Sequence, residues 1–202
     1  MKNLSLTIIS STLSLLLLSG CATKVERINM SNDNAGQVMG LDYRDFNEAA
    51  SDAIESMLKS PALHKNDGSR YVLVISDVKN DTMQHIDTDQ LIKKIRIELL
   101  NSGKVYVTTA LGSSQDKMNK KARELRKNVE FDSSSVQIEG TLQAPDMSLS
   151  GKILQRNIKM SDDKQQVEYY FMLTLTDLSN GFAVWEGESI IGKRGSNKSV
   201  AW

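Results

Sequence analysis

The chain has 202 residues, in which 25 lysines and arginines balance 25 aspartates and glutamates, with two histidines and one cysteine. A formal charge of zero supplies no net field toward nucleic acid or a strongly acidic partner, so electrostatic attraction must be local. One cysteine excludes an internal disulfide, and histidines without metal-ligand spacing leave no zinc site to read.

In chain order, Met1-Lys2-Asn3 is a short positive start, and Leu4 to Leu18 is an apolar run too short to span a bilayer. It closes on the small residues Ser19 and Gly20 before Cys21, so residues 1–20 read as a secretory signal peptide and the protein as exported. Leu18-Ser19-Gly20-Cys21 resembles the bacterial lipoprotein box. That resemblance implies cleavage before Cys21 and lipidation of its sulfur and new amine. Each buried methylene contributes about 0.8 kcal/mol, so one acyl chain holds marginally and two or three anchor stably. Ala22, rather than Asp, follows the cysteine, which implies the outer membrane, facing the periplasm. Residues 21–40 then read as the lipidated cysteine and a flexible tether, with the polar cluster Ser31-Asn32-Asp33-Asn34 before Gly36 and Gly40. A segment of that length reaches at most roughly 65 Å and averages about 25 Å as a coil.

Residues 41–202 are expected to form one globular domain with a short basic tail. Asp42 is a capping residue, and Phe46, Ala50, Ala53, Ile54, Met57 and Leu58 recur at helical spacing until Pro61. Arg70 to Ser76 is a β-branched apolar run that predicts a buried strand, followed by a polar loop from Asp77 to Asp87. Thr88 is the expected N-cap of a second helix whose buried face carries Leu91, Ile92, Ile95, Leu99 and Leu100, and Gly103 stops it. Lys104 to Ala110 predicts a second strand. This βαβ order requires parallel strands. Ser113 to Asn128 is a basic surface helix, more ordinarily a solvated face than an anion site. Ser133 to Thr141 is expected to be a short helix. From Met147 the period becomes two, through Leu149, Gly151 and Ile153, then Val167, Tyr169, Phe171, Leu173 and Leu175. Asn180-Gly181 marks the turn before Phe182 to Ile191, completing an antiparallel meander. The fold class is α/β: one sandwich with a mixed sheet and helices against it.

Catalytic chemistry is not visible. His64 and His85 sit in polar loops, no Gly-x-Ser-x-Gly occurs, and the acidic pairs suit caps and turns. Gly187 to Lys193 has phosphate-loop spacing, but Arg194 replaces the magnesium-binding Ser or Thr and the segment lies inside a strand, which excludes nucleotide binding. No cofactor or metal is expected. What remains are surfaces for a partner: the long Asp77–Asp87 loop with Asn80, Asp81 and Thr82, the basic pair Lys93 and Arg96 on the following helix, and the C-terminal Lys193, Arg194 and Trp202.

The stretch DVKNDTMQHIDTDQLIKKIRIELLNSGKV, with Asn80-Asp81-Thr82 leading into the Asp87 to Gly103 helix, resembles the core of the LpoB-type outer-membrane lipoproteins. The ending YYFMLTLTDLSNGFAVWEGESIIGK is similar to that family's final hairpin. The resemblance implies a non-catalytic activator of a bifunctional class A penicillin-binding protein. Its domain would be similar to the N-terminal domain of TolB, would touch the synthase's regulatory domain, and would stimulate glycan polymerisation and peptide crosslinking. Enterobacterial members carry a long proline-rich tether, whereas no proline precedes Pro61 here. The alternative reading is a structural or secretion-associated envelope lipoprotein that binds another periplasmic protein or the glycan.

Overall fold

A computed structural model describes residues 28–29, 38–112, 115–196 and 198–199. Asp42 starts helix α1 (Tyr43–Lys59): its carboxylate accepts from the amides of Arg44 and Asp45, and the Asp45 carboxylate accepts from the Asp42 amide at 2.7 Å. This reciprocal capping box contributes about 1 kcal/mol. The helix buries Phe46, Ala49, Ala50, Ala53, Ile54 and Met57, the stripe its period predicts, and ends at extended Ser60 before Pro61.

Strand β1 (Tyr71–Asp81) is longer than the apolar run suggests, because a bulge interrupts its alternation. Ile75 pairs with Leu149 but Val78 pairs with Gly151, so one extra residue is inserted and Val78 returns to the core side. Residues 77–81, expected as loop, are therefore strand. Helix α2 (Thr88–Ser102) is capped by Asp87, whose carboxylate accepts from the Asp89 amide at 3.0 Å, rather than by Thr88. Leu91, Ile92, Ile95 and Leu99 are buried, but Leu100 is half exposed, since it stands about 100° around the helix from Leu99. Gly103 takes the left-handed conformation (φ +64°) that closes the helix.

Strand β2 (Val105–Val107) runs parallel to β1, as the βαβ order requires. The chain then leaves the sheet through a surface helix α3 (Lys117–Glu124), no residue of which is buried. No helix forms over 133–141. The Asp132 carboxylate takes the Ser134 amide and hydroxyl, and such local bonds offer the backbone an alternative to a helical turn. Gly112 (φ +89°) passes so close to β1 that a Cβ would meet the Ile75 carbonyl oxygen at 2.6 Å.

Strands β3 (Met147–Lys159), β4 (Lys164–Asp177) and β5 (Ala183–Ser196) form the expected antiparallel meander. The sheet order is β2-β1-β3-β4-β5, with β3 parallel to β1, so the sheet is mixed. Helix α1 packs on α2 and β5, and α2 packs on β1. Beneath them Leu73, Met147, Leu149, Ile153, Val167, Tyr169, Phe171 and Leu175 close the core, with Phe46 edge-on to Phe171 at 5.9 Å. Contacts divide the chain into two units, Met1–Asn34 and Ala35–Trp202, and every helix and strand among the described residues belongs to the second. Met39, read above as part of the tether, is half-buried against this core, as is Leu41 at the expected start of the domain. The signal segment, Cys21 and Trp202 lie outside the described residues.

Candidate partner-binding site

The connection from β1 to α2, Thr82 to Asp87, follows the C-terminal end of a parallel strand, where loops of α/β sheets gather binding groups. Its shape is held from within. Asn80 Nδ2 donates to the Gln84 carbonyl at 2.8 Å, Asn80 Oδ1 accepts from the Thr82 amide at 3.1 Å, and Thr82 Oγ1 accepts from the Gln84 amide at 3.1 Å. Asn80 and Thr82 are thus spent on the turn, and the side chains they present outward are Met83, three-quarters exposed, and His85. Asp81 pairs with Lys152 of β3 at 2.6 Å, and the bonded ammonium holds its carboxyl below the usual range. Both partners are solvated, so the pair contributes little to stability.

On α2, Lys93 is exposed, whereas Arg96 is half-buried and its Nε is enclosed without a hydrogen-bond partner. The two are not equivalent: Lys93 is free to meet a partner, while Arg96 also packs. Lys94 crosses to α1, donating to the Tyr43 hydroxyl at 2.7 Å with its ammonium 4.7 Å from the ring centroid. Between the two helices' N-terminal ends lies an open cleft of about 290 Å³, lined by Leu41, Tyr43, Phe46, Gln84 and Ile86 among others.

Of the C-terminal cluster, Lys193 and Arg194 do not share a surface. Side chains alternate across a strand, so Lys193 and Arg194 point to opposite faces of β5. Arg194 is exposed and donates to Gln166 Oε1 at 2.7 Å. Lys193 is on the core side and 7% exposed, its ammonium 2.5 Å from Asp45 Oδ2 and 2.7 Å from the Gly40 carbonyl. It is an internal tie between β5 and the start of α1, not a surface for a partner. Sequence reasoning also passed over Gln84 and Tyr169, both buried and bonded to each other at 2.6 Å. The signal was present: a tyrosine on the core phase of an alternating strand needs a partner for its hydroxyl. Burial and the nearby Asp45 carboxylate push the Tyr169 hydroxyl up to about 12 against the opposing Gln84 bond, so it stays a neutral donor.

Among the described residues, no group of three or more His, Cys, Asp or Glu could hold a metal, and no helix is long and apolar enough to cross a membrane. The family model described as peptidoglycan-synthase activator LpoB matches residues 45–191. Among solved structures, the chain is similar to the LpoB C-terminal domain of Salmonella enterica at 17% identity and a TM-score of 0.42, covering 73% of this chain and 98% of that one. The LpoB C-terminal domain of Escherichia coli is similar at 14% identity and 0.41, with the same coverage. The solution structure of E. coli LpoB is similar at 17% identity and 0.39, covering 84% of this chain and 78% of that one. No match was found among curated proteins.

Proposed function

The chain belongs to the peptidoglycan-synthase activator LpoB family, and from that premise we propose that it is a lipoprotein anchored through Cys21 in the outer membrane that activates a class A penicillin-binding protein by direct contact. The match over 45–191 carries this reading, because it spans most of α1, the β1–α2 loop and most of the meander. The chemistry would belong to the synthase. The activator must then bind the synthase's active state more tightly than its resting state, and a coupling of about 1–3 kcal/mol corresponds to roughly five- to 150-fold. The contact is assigned to the β1–α2 loop, whose shape Asn80 and Thr82 hold and whose outward side chains are Met83 and His85, with Asp81 at the end of β1, and to Lys93 on α2, with Arg96 beside it.

Adding the purified protein to its cognate synthase should raise the rate of glycan polymerisation from lipid-linked precursor. Demonstrated binding with no change in either polymerisation or crosslinking rate would reduce the role to tethering.

A further inference from the structure

The chain enters the folded unit through Val38 to Asp42, and three buried or half-buried polar bonds from three separate elements hold that segment. Lys193 of β5 donates to the Gly40 carbonyl at 2.7 Å, Tyr169 of β4 donates to the Met39 carbonyl at 3.0 Å, and Gln84 Oε1 in the β1–α2 loop accepts from the Leu41 amide at 3.1 Å. Gly40 also lies so close to Gln84 that a Cβ there would stand 3.2 Å from Nε2. A flexible tether would need none of these bonds. They make residues 38–42 a strap, folded as part of the domain.

Gln84 stands at the junction. Its side chain holds Leu41 and donates to Tyr169, while its own carbonyl and amide are the groups that Asn80 and Thr82 use to shape the loop. Leu41 and Asp42 of the strap and Gln84, His85 and Ile86 of the loop also line one cleft. We propose that Gln84 is a positioning residue that makes docking of the tether root and ordering of the partner loop a single equilibrium. This deepens the assignment of the loop as the synthase contact and rests on it. Linkage is reciprocal: a pull that lifts the strap loosens the loop, and a partner that orders the loop tightens the strap by the same factor. The tether root would then report to the contact surface whether the chain is slack or under load.

The test is amide hydrogen exchange on the full chain in detergent micelles, read against the Ile95 amide in the core of α2. Asn80→Ala perturbs the loop alone, and should speed exchange of the distant Leu41 amide by about two- to tenfold, the span corresponding to one intramolecular hydrogen bond. Tyr169→Phe removes the donor to Met39 and the acceptor of the Gln84 side chain, neither of which is a loop backbone bond, and should speed exchange at the Thr82 and Gln84 amides by a similar factor. Acceleration confined to the mutated side in both variants, or acceleration shared equally by Ile95, overturns the linkage. Synthase binding by the same two variants is measured separately. Normal binding alongside coupled exchange removes the loop from the contact and leaves the linkage standing.

Discussion

Replacing Lys193 by Met is the most decisive perturbation of the fold, because it separates a buried ion pair from an ornamental one. The side chains of Lys193 and Asp45 are 6% and 11% exposed, and their charges approach to 2.5 Å. Taking away the ammonium leaves a carboxylate enclosed without its cation and the Gly40 carbonyl without its donor. Breaking one side of such a pair costs about 3–5 kcal/mol, whereas an exposed pair costs 0–1 kcal/mol or so. For a domain of this size each kcal/mol lowers Tm by about 2–4 °C, so the midpoint should fall by about 6–20 °C. Adding Asp45→Asn should recover part of the loss, since no charge is then buried and an amide oxygen can still accept from the Asp42 amide. Urea unfolding of wild type, both single variants and the pair gives the coupling directly, expected at about 1–3 kcal/mol. If Lys193→Met costs less than about 1 kcal/mol, the ammonium is not buried as described and Lys193 does not hold the strap.

Four further outcomes follow from the same geometry. Tyr169 is raised to about 12 in the fold from an ordinary 10, so its contribution is complete below pH 10 and disappears as pH rises toward 12; Tyr169→Phe should flatten that alkaline limb of the stability curve. Burial raises the Asp42 carboxyl, but the Arg44 side chain, the Arg44 and Asp45 amides and the Lys193 charge outweigh it and leave it below 3.8. Its contribution is therefore present above pH 3.8 and lost as pH falls through the lower folded value, and Asp42→Ala should cost about 1 kcal/mol at neutral pH and weaken the acid dependence. Lys93→Glu should slow association with the synthase more at low salt than at high, with unchanged melting, whereas Arg96→Glu should also lower stability because its Nε is enclosed. Cys21→Ala should abolish outer-membrane fractionation and function in cells while leaving activation in solution intact; normal fractionation of the variant would defeat the lipid-anchor reading.

How far the fold could be read from sequence depended on whether one period held over a whole element. Helix α1 and the β3–β5 meander keep theirs, and the structure returns the expected stripes, down to the Gly181 turn (φ +76°). Strand β1 does not. Its polar pair Ser76-Asp77 looks like the end of a strand, but the bulge there shifts the phase by one residue and the ladder continues to Asp81. The helix expected over Ser133 to Thr141 does not form for a different reason: its two apolar residues, Val136 and Ile138, make no helical stripe, and Asp132 offers the backbone local bonds instead.

The candidate site was legible as a loop and opaque as a set of contacts. Composition marked Lys193 and Arg194 as one basic cluster, but strand phase places Trp185, Ser189, Ile191 and Lys193 on the core side and sends Arg194 to the other. A lysine in register with inward residues calls for a buried carboxylate, and Asp45 at the start of α1 supplies it across 148 positions of sequence. Gln84 was invisible for the same reason, because its two bonds to Leu41 and Tyr169 span 43 and 85 positions. Neither pairing has a local signature. Three of the long-range polar ties, from Lys193, Tyr169 and Gln84, converge on residues 39–41 just before helix α1. A segment meant only to give reach would have no use for buried bonds, so its specification by Lys193, Tyr169 and Gln84 makes residues 39–41 part of the fold rather than of a linker.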